Sequence, residues 1–499
     1  MLSEAYREIS SDTKNFLARR KFGLLIDGHE MEAASGKTIE TRDPSTGEVL
    51  GYIAAGSAED VDRAVRAARA AFEGPWSTWT PYDRQAFLFR AYQLIERHID
   101  ELAEIESMDM GAPITAMRGA KAGMQKRIQY FASQALNING ETLQNGFGGS
   151  VTTMTIKAPV GVIGGIIPWN GPLPGQWWII GAVLATGCTT VLKPAEDASL
   201  SVLRTVELLH EIGLPPGVIN VVTGYGAEAG EALARHPDVD RIAFTGSTVT
   251  GRKIIEASMV NIKRLQLELG GKSPDIVFAD ADLDKAVPSA AMGVFNNTGQ
   301  ICYAGTRVLV QRSIVNEFTT RAVEFAKTVR LGRSLDPNAQ LGPIISEKQL
   351  DRVLSYIDIG EKEGARLVSG GVRAQGDLES GYFISPAIFT NVDNEMRIAR
   401  EEIFGPVMSI IPFDTAEEAI QIGNQTEYGL GGAVWSQNIS TALKVVRGIH
   451  TGVMWVNCYG LVDSLVGFGG TKMSGYGAKG GTGHLDTYLY SKCVYIQTH

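Results

Sequence analysis

Apolar and polar positions alternate along this chain with two periods, helical and extended. Behind Ser57-Ala58-Glu59-Asp60, a serine with a carboxylate three residues later, the run from Val61 to Phe72 repeats apolar residues at helical spacing, which predicts a capped amphipathic helix. Thr80-Pro81 opens a second helix whose apolar positions recur to Ile105. From Val160 the pattern changes. An extended apolar run ends at Pro168-Trp169-Asn170, a helix follows from Gln176 to Ala185, and Thr189 to Lys193 reads as a second strand. A helix from Ser199 to Ile212, a third strand from Val218 to Thr223 closed by Gly224, a fourth from Arg241 to Phe244 and a helix from about Gly251 continue the series. Short β-α-β units in succession predict an α/β protein with a mainly parallel, helix-covered sheet.

Length adds domains to that picture. A chain of 499 residues exceeds what one hydrophobic core serves, so two or three domains are expected. The charge balance, Lys+Arg 46 against Asp+Glu 55 for a net −9, has its cations scattered, and nucleic acid is not an expected partner. Four cysteines, at 188, 302, 458 and 493, show no C-x-x-C spacing; neither a disulfide framework nor a metal site is predicted, and a reducing cytoplasm is expected. Met1 to Arg20 mixes acids and bases, and the most apolar run, Pro159 to Pro168, is too short and glycine-rich to span a bilayer, so neither export nor membrane insertion is expected.

Parallel sheets of this kind bind ligands beyond the carboxyl ends of their strands, where Asn170, Lys193, Glu196, Gly246 and Ser247 are predicted to fall. Lys193 and Glu196 suit the two hydroxyls of an adenosine ribose, and a carboxylate there repels the extra phosphate of NADP, so NAD is the expected cofactor. Gly246-Ser247-Thr248 offers N–H groups at a helix start, a seat for a pyrophosphate, and equally fits an ordinary turn. Gly224-Tyr225-Gly226-Ala227-Glu228-Ala229 matches G-x-G-x-x-A, but after the third strand of the series, where a plain strand-to-helix turn explains it as well.

The chemistry centres on Phe295-Asn296-Asn297-Thr298-Gly299-Gln300-Ile301-Cys302 and on Glu268 within Leu267-Glu268-Leu269-Gly270-Gly271. A thiol is only slightly ionised at neutral pH, so a nucleophilic Cys302 requires a lowered pKa or a nearby base, and Glu268 is the candidate base. Asn170 is a candidate donor to a developing oxyanion. Taken singly, each has a plain alternative: a buried small residue, a helix charge, a turn asparagine.

Together with Lys193-Pro194-Ala195-Glu196, Phe244-Thr245-Gly246-Ser247-Thr248, Glu401-Glu402-Ile403-Phe404-Gly405-Pro406-Val407 and Lys472-Met473-Ser474-Gly475, these segments occur in the order found in the NAD(P)-dependent aldehyde dehydrogenases, and the chain resembles that superfamily over nearly its whole length. The resemblance implies a Rossmann-like parallel-sheet cofactor domain (1–139 and 159–270), an α/β catalytic domain (271–470) and a small β oligomerisation arm (140–158 and 484–499), with a homodimer or homotetramer expected. It implies Cys302 as nucleophile, Glu268 as general base, and Asn170 with the Cys302 N–H as oxyanion donors. Lys193 and Glu196 would hold the adenosine ribose, Gly246 and Ser247 the pyrophosphate, Glu402 the nicotinamide ribose and Phe404 the nicotinamide face, with Ile166, Trp169, Gly226 and Leu269 completing the groove. The implied reaction is NAD-dependent oxidation of an aldehyde to an acid through a Cys302 thioester, non-acylating because Glu268 is present. A cofactor-independent cysteine esterase and an idle binding protein are the alternatives.

Gly171 and Val462 stand where many members carry aromatics, so the substrate cavity, expected to include Trp178, Ile301, Tyr303 and Phe468, is predicted to take a bulky apolar or aromatic aldehyde. Of Trp177 and Trp178, one is expected to serve the core instead. Ile179 and Lys479 replace a lysine and a glutamate that link the base to solvent in many hydrolytic members, which leaves Lys479 either as a charge facing Glu268 or as a solvated loop residue.

Overall fold

The computed structural model describes residues 9–497. The first eight residues of the Met1 to Arg20 stretch and the last two of the predicted arm lie outside the described residues. The fold is α/β, organised around two large sheets.

The first sheet has eight strands, in the order 475–476, 264–268, 241–245, 162–167, 189–194, 219–221, 24–26 and 29–31. Its five central strands are parallel, and antiparallel partners close it on both sides. The chain runs outward from Val162–Ile167 through Thr189–Pro194 and Ile219–Val221, then returns to the other side for Arg241–Thr245 and Arg264–Glu268. The order therefore reverses between the strands ending at Ile167 and Thr245, and a crevice at such a point is where parallel sheets bind ligands. Strand burial explains the unbroken apolar runs: Thr189–Pro194 is buried at every position.

The second sheet has seven strands, in the order 366–369, 387–390, 407–413, 307–311, 274–277, 431–435 and 453–456, parallel except for the first. A third, small antiparallel sheet joins Thr142–Leu143, Val151–Pro159 and Leu489–Gln497, the last two paired over nine residues. Ile156, Tyr490, Tyr495 and Ile496 are exposed on it.

The predicted helices fall at Ala58–Glu73, Pro81–Met110, Trp177–Thr186 and Leu200–Glu211, with both capping boxes formed. The helix expected from about Gly251 begins earlier, at Thr248, because the Ser247 side chain accepts from Thr250 N and caps it. The third strand is shorter than expected, Ile219–Val221. After Gly224 the chain forms a wide helical turn over Gly226–Gly230 that leads into the helix Glu231–Arg235. Trp177 is fully buried in the core between helices, whereas Trp178 reaches a cavity. Among the described residues, no helix is long and apolar enough to cross a membrane.

Candidate active site

Residues that follow strands of the first sheet meet residues that precede strands of the second. From the first come Pro168-Trp169-Asn170, Thr245-Gly246-Ser247 and Glu268-Leu269-Gly270; from the second come Cys302, Glu402, Phe404 and Tyr428, and together they line a groove of about 540 Å³. On the other side of Cys302 lies a cavity of about 420 Å³, walled by Gly171, Trp178, Ile301, Tyr303, Val462 and Phe468. Asn170 and Cys302 line both. A thiol thus stands where two differently built cavities join.

The loop that presents Cys302 is held in an unusual shape. Asn297, Thr298 and Gly299 take positive φ of 51°, 54° and 73° in succession, and such a conformation costs a non-glycine residue about 1–3 kcal/mol. A Cβ at Gly299 would lie 2.1 Å from the Gly405 carbonyl carbon, so only glycine fits there. Side chains tie the loop down: Thr298 Oγ1 donates to Gly342 O at 2.8 Å, and Gln300 Oε1 accepts from Ile345 N at 2.9 Å. Asn170 Nδ2 donates to Gln300 O at 2.9 Å, and Asn297 Nδ2 donates to Asn170 O at 3.1 Å, which joins the asparagine to the cysteine loop.

Glu268 ends the strand Arg264–Glu268, whose edge is covered by Gly475–Tyr476. Its carboxylate is buried at 3 % exposure, and neither oxygen has a protein hydrogen-bond partner among the described residues. Burial pushes its pKa up to about 8, against the opposing pull of the Lys479 ammonium. Lys479 is therefore no solvated loop residue: Nζ donates to Thr245 Oγ1 at 2.8 Å, and paired backbone bonds with Phe468, both 2.7 Å, fix its position. Of the two routes to a nucleophilic Cys302, a lowered pKa and a nearby base, the site offers only the second. Burial pushes the thiol up to about 12, with Lys479 pulling down and Glu402 and Glu268 pushing further up. Proton removal from Cys302 thus depends on a base.

Three carboxylates line the groove, and two are committed elsewhere. Glu401 is paired with Arg397 at 2.8 Å, and Glu402 Oε1 accepts from Gly271 N at 3.0 Å. Burial raises Glu402 to about 7 despite that bond. A Cβ at Gly270 would approach Glu402 Oε2 to 2.4 Å, so glycine permits the close packing of the two segments. Phe404, at φ 61°, meets Trp169 edge-on with ring centroids 5.2 Å apart.

Of the sequence-predicted cofactor residues, Trp169, Gly246, Ser247, Leu269, Glu402 and Phe404 share the groove wall. Ile166 lines the other cavity instead, together with Ile167 and Pro168. Lys193, Glu196 and Gly226 lie outside the groove's wall, at the ends of the neighbouring strands. Lys193 Nζ donates to Glu196 Oε2 at 2.9 Å. Burial, the largest single influence, opposes Glu196 ionisation, yet the Lys193 charge, its hydrogen bond and backbone N–H bonds from Glu196 and Gly226 together leave the carboxyl below its ordinary value. Glu402 from the second sheet shares the groove with the capped helix start at Ser247, and Glu196 stands beyond a neighbouring strand of the first sheet, so carboxylates suited to ribose hydroxyls and a helix start suited to a pyrophosphate are all present. Arg127, Thr245 and Gln266, all on the second cavity, were given no role by sequence reasoning; the first lies in a helix with no motif around it.

The sequence model of the aldehyde dehydrogenase family matches residues 31–494. Aldehyde dehydrogenase family 2 member C4 of Arabidopsis thaliana is 45% identical over 490 residues, covering 95% of each chain. The mitochondrial benzaldehyde dehydrogenase of Antirrhinum majus is 44% identical over 474 residues, covering 94% of this chain and 88% of that one. The NAD+ complex structure of an aldehyde dehydrogenase from Bacillus cereus superposes with a TM-score of 0.96 at 42% identity, covering 99% of both chains.

Proposed function

This chain belongs to the aldehyde dehydrogenase family, and on that premise we propose that it oxidises a bulky apolar or aromatic aldehyde to the carboxylic acid with NAD, through a thioester on Cys302. The carrying observation is the junction of groove and cavity at Cys302. NAD, when bound, supplies the hydride acceptor. Lys193 and Glu196 hold its adenosine ribose, the Thr248 helix start its pyrophosphate, and Glu402 its nicotinamide ribose.

Of the groove's carboxylates, Glu268 alone keeps both oxygens without a protein partner among the described residues, so it is the one open to a proton. It takes the thiol proton; the thiolate adds to the aldehyde carbon, and the carbonyl electron pair moves onto oxygen. Asn170 Nδ2 and the Cys302 N–H donate to that oxyanion. Loss of the aldehyde hydrogen as hydride to bound NAD would leave the thioester; Glu268, having passed its first proton to solvent, then takes a proton from the water that attacks the thioester carbon and returns it to the departing Cys302 sulfur, so that the acid and the thiol are released. Water rather than coenzyme A accepts the acyl group because this base is present. Glu196, as an anion where a second phosphate would sit, selects NAD over NADP.

The cavity's aromatic walls and the small Gly171 support the substrate reading, as does likeness to a benzaldehyde dehydrogenase. Leu489–Gln497 is left as an edge strand of the arm sheet with exposed apolar side chains, an edge that pairing with a second copy would cover, and this supports a homo-oligomer. The test is the absorbance of reduced nicotinamide with NAD or NADP and benzaldehyde, hexanal or acetaldehyde, beside Cys302→Ala. Turnover of benzaldehyde with NAD, lost in the variant, is expected; a strong acetaldehyde preference overturns the substrate, and turnover surviving Cys302→Ala overturns the mechanism.

A further inference from the structure

The cavity beside Cys302 is apolar over most of its wall, but Arg127 and Lys479 also line it. Arg127 comes from the helix Ile114–Gln134, and its guanidinium lies 3.9 Å over the Trp178 ring. Nη1 donates to Pro174 O, and Nε is buried with no protein partner among the described residues. Among the described residues no carboxylate lies within ion-pair distance of it, and burial lowers its pKa to about 9.

The neighbouring groups deepen the imbalance. Gln266 Nε2, also on the cavity side, and His484 Nε2 behind it are buried without protein partners among the described residues. His484 is held neutral, by burial first and then by the charges of Arg241, Lys479 and Arg127. Besides the Cys302 thiol, the acid acting on Lys479 is the Glu268 carboxyl, which lines the groove rather than this cavity.

An unpaired guanidinium out of water is unfavourable, and stacking on an indole leaves its edge donors unanswered. That edge, planar and fork-shaped, matches a carboxylate. A dianion such as phosphate suits the place less well, since Glu268 faces Lys479 and repels a second negative charge.

We propose that Arg127 and Lys479 form a carboxylate-binding subsite in the substrate cavity, so that the preferred aldehydes carry a carboxylate on an apolar or aromatic body. The proposal rests on the reading of this cavity as the substrate site. Ile301, Tyr303 and Phe468 receive the body, Cys302 the aldehyde carbon, and the two cations the carboxylate. Arg127 is here a specificity residue and takes no part in bond making.

The experiment compares kcat/KM for benzaldehyde and for the ortho, meta and para carboxybenzaldehydes in the wild-type enzyme, Arg127→Met and Arg127→Lys. At least one carboxylated isomer is expected to exceed benzaldehyde by about tenfold or more, and Arg127→Met to reduce that ratio by about tenfold, with Arg127→Lys retaining most of it. Competitive inhibition by the benzene dicarboxylates, read against whichever aldehyde is turned over, is expected to weaken in parallel. Should Arg127→Met fail to fold, Arg127→Gln makes the same comparison without the charge. A wild-type enzyme that prefers benzaldehyde to every isomer, or a ratio that Arg127→Met leaves unmoved, overturns the subsite. If aromatic aldehydes are inert while succinic semialdehyde is oxidised in an Arg127-dependent way, the subsite stands and the aromatic reading falls.

Discussion

The groove and the cavity that meet at Cys302 are walled by different kinds of chain. The groove is made of strand ends and the turns beyond them, where backbone N–H groups, glycines and the Glu402 carboxylate do the recognising. The cavity is made of side chains from separate segments: Arg127 and Trp178 from helices, Tyr303 and Phe468 from loops, with Gly171 leaving space. Recognition by backbone tolerates drift in the surrounding side chains, whereas a cavity of side chains changes its ligand with single substitutions. Chemistry and specificity are therefore separable here, with Cys302 as the shared boundary.

The substitution with the largest expected effect removes that boundary. Cys302→Ala should lower turnover by about a thousandfold or more while leaving NAD binding, followed by quenching of protein fluorescence, in place. Loss of both together would mean that groove and cavity do not act separately. Next comes the base. Glu268→Gln should slow steady-state turnover by about 10²–10⁴-fold. With the Glu268 pKa raised to about 8, the carboxyl is protonated below that pH and cannot accept a proton, so the wild-type rate should climb as pH rises through about 8 and level off above it. The variant should lack this limb; an unchanged pH profile would assign the proton transfer elsewhere.

Asn170, which lines both sides, should matter less than the base. Asn170→Ala should cost about 10²–10³ in kcat, measured with benzaldehyde, with little change in NAD affinity. A loss confined to KM would make it a positioning asparagine for the loop instead, through its bond to Gln300 O. The smallest effect belongs to the cavity wall. Gly171→Phe should reduce kcat/KM for benzaldehyde relative to acetaldehyde by about tenfold, leaving acetaldehyde turnover nearly as it was. Equal loss on both aldehydes would show that Gly171 serves the chemistry rather than the fit.

Much of this arrangement was legible before the structure. The placing of Lys193 and Glu196 together at the end of a predicted strand followed from the pattern, though their mutual salt bridge did not, and Cys302, Glu268 and Asn170 stood out by residue type and order. The helix expected from about Gly251 starts three residues earlier, at Thr248, within the Gly246-Ser247-Thr248 segment that the sequence also marks as a helix start, because Ser247 caps it. Other features had no local signal. Trp177 and Trp178 are adjacent and chemically alike, yet one is core and the other cavity wall, a choice made by which helix face meets Phe131 and Arg127.

What the sequence determined by itself was periodic or local: the strands and helices, their caps, the order of the motifs, and the identity of the thiol, the carboxylate and the amide. These depend on neighbours a few residues apart, whose physics is the same wherever the segment sits. What only the tertiary structure decided were the quantities set by remote segments. Cys302 and Glu268 share one groove because the carboxyl ends of one sheet face the amino ends of the other. The thiol is raised and Glu268 is raised because that junction is buried, and Lys479 becomes a charge in the site because its loop packs against Thr245. Burial and charge act through space, and distance through space is what a linear pattern leaves open.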